Sequence, residues 1–115
     1  MKVSYVNSND IATIDHEVDL GLEDTQNLLE EFVKNSKPEN YLWIESSFCD
    51  LDFSLDKNNN LWVEVFSSRN GLWAISEIDL TIGKEMLKIA YAEKDLEEII
   101  PTTNRNWDAY TPIFN

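Results

Sequence analysis

The residues best suited to chemistry in this sequence are carboxylates at alternate positions, Asp50-Leu-Asp52-Phe-Ser54-Leu-Asp56. In an extended chain, side chains spaced by two lie about 7 Å apart on one face. Such a row suits Lys or Arg side chains on a partner, because charge-assisted hydrogen bonds to carboxylates are the strong ones. The spacing also has the alternate ligands of a calcium loop. A calcium loop needs Gly at its sixth position and a bidentate Glu at its twelfth, where this chain has Leu55 and Leu61. A strand with solvated carboxylates is expected instead, with no metal site.

Nucleophilic and acid–base chemistry finds little support. His16 is the only histidine, so a catalytic triad or a histidine-bearing zinc site would have to use it. Its neighbours Asp15 and Glu17 argue for an exposed strand position. Cys49 is the only cysteine and lies beside Asp50, where a negative surrounding raises the thiol pKa and suppresses the thiolate. The three glycines, Gly21, Gly71 and Gly83, are too far apart to form a phosphate-cradling loop. A glycosidase-like carboxylate pair has low evidential weight in a chain so rich in carboxylates. We therefore expect no enzyme, no catalytic residue and no cofactor.

Residues 2–6 and 11–18 are short and rich in β-branched residues, which favours strands. From Leu22 to about Asn35 the residues Leu22, Leu28, Leu29, Phe32 and Val33 fall on one stripe at helical spacing. Glu23 and Asp24 suit the positive end of that helix dipole, Lys34 suits its last turn, and Pro38 blocks continuation. Four segments of period-2 alternation follow, Tyr41–Ser47, Asp50–Asp56, Leu61–Phe66 and Gly71–Ile78, with Asn- and Gly-bearing turns between the later ones. A second helix is expected to start at Asp79 to Thr81, with Gly83 weakening its first turn. A third, at Glu93–Ile100, would end at Pro101. The tail bearing Trp107, Tyr110, Ile113 and Phe114 is apolar enough to pack back on the body.

The fold expected is α+β, one domain over residues 1–115: an antiparallel meander of four or more strands with helices packed on one face. Alternation splits the meander into two faces. Leu42, Ile44, Leu51, Phe53, Leu55, Leu61, Val63, Val65, Leu72, Ala74, Ser76 and Ile78 form an aliphatic face for the helices to cover. The other face gathers three of the four tryptophans and six carboxylates. Aromatic anchors beside charges are the composition of a protein-binding hot spot. Partner-binding residues are accordingly expected at Trp43, Glu45, Asp50, Asp52, Asp56, Trp62, Glu64, Trp73 and Glu77. An alternative stays open, in which the N-terminal strands or the C-terminal tail cover the rings as a second core layer.

Composition narrows the partner. With 43% hydrophobic residues, the 115-residue chain can build a core without staples. Acidic residues number 22 against 9 basic, a net charge of −13, heavier in residues 1–57 than in the remainder. A field of that sign repels nucleic acid and anionic membranes and attracts basic partners. A lone cysteine, no signal-peptide core after Met1-Lys2-Val3-Ser4-Tyr5, and no apolar run of transmembrane length give a cytoplasmic expectation. The sequence sets no oligomeric state.

The segment Val18-Asp-Leu-Gly-Leu-Glu-Asp-Thr-Gln-Asn-Leu-Leu-Glu-Glu-Phe32, followed by Tyr41-Leu-Trp-Ile-Glu45 and Leu61-Trp-Val-Glu-Val-Phe66, resembles the immunity proteins of bacterial contact-dependent and polymorphic toxin systems. The likeness covers about 60 residues in order and style. It implies tight, stoichiometric inhibition of one cognate toxin domain, often a nuclease with a basic active-site cleft. No functional residue transfers by position, so the site residues above come from the sheet-face reasoning alone. The alternative function is an acidic phage-type anti-nuclease or DNA mimic, or an adaptor that uses the same face, with a small enzyme ranked below both.

Overall fold

The computed structural model describes residues 2–6, 16–35, 40–46, 49–67, 72–93 and 108–109. Strands β1 (Lys2–Val6) and β2 (His16–Asp19) precede helix α1 (Leu22–Asn35). Then come β3 (Tyr41–Glu45), β4 (Cys49–Leu55), β5 (Leu61–Ser67), β6 (Leu72–Glu77), helix α2 (Leu80–Tyr91) and a two-residue β7 (Asp108–Ala109). The fold is α+β. All strands join one antiparallel sheet in the order β2-β1-β3-β4-β5-β6-β7, in which β3 to β6 form the meander. Because β1 is antiparallel to both β2 and β3, the chain leaves β2, crosses over through α1 and returns parallel to it on the far side of β1.

The aliphatic face is the core. Leu42, Ile44, Leu51, Phe53 and Val63 are fully buried, and they pack with Leu29 and Phe32 of α1 and with Met86, Leu87 and Ala90 of α2. Each such fully buried large side chain contributes about 1.5–3 kcal/mol relative to an exposed one. The glycine that weakens the first turn of α2 has a packing reason: a Cβ on Gly83 would lie 2.9 Å from Leu29 Cδ2 and 3.5 Å from Phe53. Its absence lets α2 approach α1 and the sheet together. Tyr91 fastens the other end of α2, its hydroxyl donating to the Leu20 carbonyl (2.8 Å) beside the Thr25 hydroxyl. Glu30 on α1 holds Lys84 on α2 at 3.0 Å.

Local chemistry sets the element ends. Asp79 caps α2, its carboxylate accepting from the Ile82 N–H at 2.8 Å, which meets one of the unpaired donors of a first helical turn. The strand expected over Tyr41–Ser47 ends at Glu45, since the Ser46 hydroxyl turns the chain by bonding the Cys49 carbonyl (2.6 Å) and amide (3.1 Å). The strand expected through Asp56 ends at Leu55, where Asp56 becomes a turn residue with Asn59 at positive φ. Residue Glu93, expected to open a third helix, instead lies at φ 57 in the turn that follows α2. The remainder of that segment, 94–100, lies outside the described residues, as do 11–15 of the second expected strand. So does the apolar tail, apart from β7. No helix of the described residues is long and apolar enough to cross a membrane.

Candidate functional site

Strand register turns the second face of the sheet into a grid. One row runs Lys2, Glu45, Asp50, Phe66, Trp73. The next runs Ser4, Trp43, Asp52, Glu64, Ile75, Asp108. A third runs Val6, Tyr41, Ser54, Trp62, Glu77. Lys2 is the one basic position in the three rows. The N-terminal strands do not lie over this face as a second layer. They hydrogen-bond edge-on and lengthen the sheet.

Where the first two rows cross β3, β4 and β5, the side chains enclose a partly open concavity of about 280 Å³ lined by Trp43, Asp50, Asp52, Glu64 and Phe66. Its rings are displayed: Trp43 is 42% and Phe66 40% exposed. Alternation causes the geometry, since Leu51, Phe53 and Val65 face the core and so turn the intervening residues outward.

Two carboxylates face each other across this notch. Asp52 and Glu64 are direct cross-strand partners, and like charges directly opposite destabilise a sheet. Partial burial, and then the Glu64 charge, push the Asp52 carboxyl from 3.8 up to about 6. One of its oxygens, Oδ1, is buried with no hydrogen-bond partner among the described residues. Asp50 is also raised, first by burial and then by Glu45 opposite it, against a hydrogen bond from the Trp43 side chain that lowers it.

At the other end of the same strands the arrangement is reversed. Asp56 accepts from the Asn58 N–H (2.8 Å), the Asn60 N–H (3.0 Å), the Asn60 side chain (3.2 Å) and Trp62 Nε1 (3.0 Å). These bonds, led by Trp62, hold its pKa down to about 2. Trp62 is half-buried and stands opposite Glu77.

The structure therefore divides the expected site residues. Trp43, Asp50, Asp52 and Glu64 line the notch and Glu45 flanks it. Asp56, Trp62 and Glu77 form a separate corner. Trp73 stands opposite Phe66 in the backbone register, and the expectation for its ring lies outside the described residues. Phe66 was not among the expected residues, although its alternation with Val65 already placed it on this face. Among the described residues, no group of three or more His, Cys, Asp or Glu is placed to hold a metal ion. Cys49 is buried, and His16 pairs with Tyr5 in the edge strand. No family model matches this chain, and neither does any curated protein or solved structure.

Proposed function

We propose that this chain is a binding protein that engages a basic protein partner through the notch face, and that it acts as an immunity protein neutralising a toxin domain in the cytoplasm of the cell that makes it. The observation that carries the binding reading is the notch: two half-exposed aromatic rings with Asp50, Asp52 and Glu64 between them. Displayed rings supply contact area once a partner excludes water, and the carboxylates steer association and fix register. The net charge of −13 favours a positively charged surface, such as the cleft of a nuclease. The immunity role adds the pattern of helix followed by Trp- and Glu-bearing strands, which resembles that of toxin-neutralising proteins.

The test is biochemical. Tagged chain is used to capture partners from its host at low and moderate salt. The captured protein is then purified and mixed with the chain in measured amounts. A basic protein encoded beside this gene, bound one to one and losing a toxic or nuclease activity on binding, is the expected result. A partner whose activity survives saturation with the chain overturns the immunity role. Capture limited to many basic proteins, all released by salt, overturns specific binding.

A further inference from the structure

Resting on that binding reading, we propose that the notch between Trp43 and Phe66 is the seat for one arginine side chain of the partner, its guanidinium stacking on the aromatic walls and bridging Asp52 and Glu64. Four features of the notch converge on this occupant. The notch is walled by exposed Trp43 and Phe66, and cations bind over aromatic faces, Trp most strongly. Its floor places Asp52 and Glu64 opposite each other with Asp50 adjacent, an arrangement that a bound cation would stabilise. The Asp52 Oδ1 atom is buried without a hydrogen-bond donor among the described residues, and buried polar atoms are seldom left so. Partial burial and Glu64 together make the Asp52 anion costly in the free protein.

Arginine fits better than lysine. A guanidinium is planar, presents its donors as a fork that meets two carboxylates at once, and stacks on rings, whereas an ammonium is a compact and strongly hydrated point charge. The concavity of about 280 Å³ also exceeds what a lone ammonium head would fill, leaving room for a flat group and part of its stem. A metal ion fits less well, because among the described residues no cluster has metal-holding geometry.

The experiment titrates the isotopically labelled protein with acetyl-Gly-Arg-Gly-amide and, separately, acetyl-Gly-Lys-Gly-amide at fixed ionic strength, followed by NMR of the indole and backbone N–H groups. A Trp43→Phe variant assigns the Trp43 indole signal. Saturable shifts confined to Trp43, Asp50, Asp52, Glu64 and Phe66 are expected, with a dissociation constant on the order of millimolar and binding by the lysine peptide roughly fivefold weaker. Asp52→Asn should weaken the arginine peptide roughly tenfold while the spectrum remains that of a folded protein. Equal responses to both peptides, or shifts that never saturate and spread to Glu77 and the helix carboxylates, would overturn the proposal.

The failures are separable. If the arginine peptide does not bind while a captured partner does, and Asp52→Asn leaves that partner's affinity unchanged, the arginine seat is wrong and the binding function stands. If the peptide binds selectively but no specific macromolecule is captured, the seat is upheld and the proposed function falls.

Discussion

Asp52 and Asp56 lie four residues apart on the same side of the same strand and its turn, yet the fold treats them in opposite ways. Asp56 is surrounded by donors from its own loop and from Trp62, and its carboxyl is held down to about 2. Asp52 faces another carboxylate, keeps a buried oxygen unbonded among the described residues, and is pushed up to about 6. The difference shows that an acidic, aromatic surface need not be one functional patch. At the corner, Trp and Asp satisfy each other and finish a hairpin. At the notch, Asp52 keeps a buried oxygen without a hydrogen-bond partner among the described residues and faces a second acid. Sites where a sequence accepts a local cost without an internal return are the places to look for function.

The comparison can be broken most forcefully by removing one tryptophan from each end. Trp43→Ala should weaken partner binding by about 2 kcal/mol or more, as loss of a central aromatic anchor does, with little change in stability because the ring is 42% exposed. Trp62→Ala should chiefly lower the melting temperature by removing the ring and the leading donor to Asp56. Isothermal titration and thermal unfolding of the two variants read this directly, and a swap of the two phenotypes would reverse the assignment of notch and corner.

Next in size is the charge of the notch. Neutralising Asp50, Asp52 and Glu64 together as Asn and Gln should slow association roughly tenfold at low salt and flatten its salt dependence. Stopped-flow rates that keep the parent's salt slope would place the steering charge elsewhere on the molecule.

A smaller effect tests the cost itself. Folding raises the Asp52 pKa from 3.8 to about 6, so the folded state holds that proton more tightly than the unfolded chain. Stability contributed by this group is therefore greatest below pH 3.8, falls as pH rises, and is lost above about 6. Asp52→Asn should accordingly be more stable than the parent at pH 7, by about 1 kcal/mol after solvent screening of a half-buried site, and should lose that advantage near pH 4. Urea midpoints at the two pH values decide it, and a destabilised variant at pH 7 would mean that the carboxylate is satisfied after all.

The mildest effect belongs to the corner. Asp56 has a depressed pKa, so its contribution is present above 3.8 and disappears as pH falls through about 2. Asp56→Ala should lower stability at neutral pH and leave binding close to that of the parent. A large loss of affinity would return Asp56 to the interface.

Much of the fold was legible because its signals are local. The apolar stripe of Leu22, Leu29 and Phe32 places α1 where it is found, from Leu22 to about Asn35, and alternation from Leu42 to Ile78 sorts the described side chains of the meander onto the correct face. The placement of β1 beside β3 was not legible, because that pairing joins segments separated by an entire strand and helix. The division of the candidate site was also hidden. Which acid faces which depends on register between strands, so the opposition of Asp52 and Glu64 follows only once β4 and β5 are aligned. The fate of Asp56 turned on a side-chain reach from Trp62 that spacing does not reveal. Phe66 was legible in principle, since its alternation with Val65 puts it on the face opposite the core.

The meander also has a consequence in time. Every residue of the notch lies between Trp43 and Phe66, on three strands joined by consecutive hairpins, whereas β1 must wait for the chain to close over α1. Short loops close first, and local contacts dominate fast folding. The hypothesis is that the notch matures before the edge strands are added, so that even a partly folded chain presents the surface a partner reads. Pulse-labelled hydrogen exchange would show amides of β4 and β5 protected ahead of those of β1, and simultaneous protection would exclude this order.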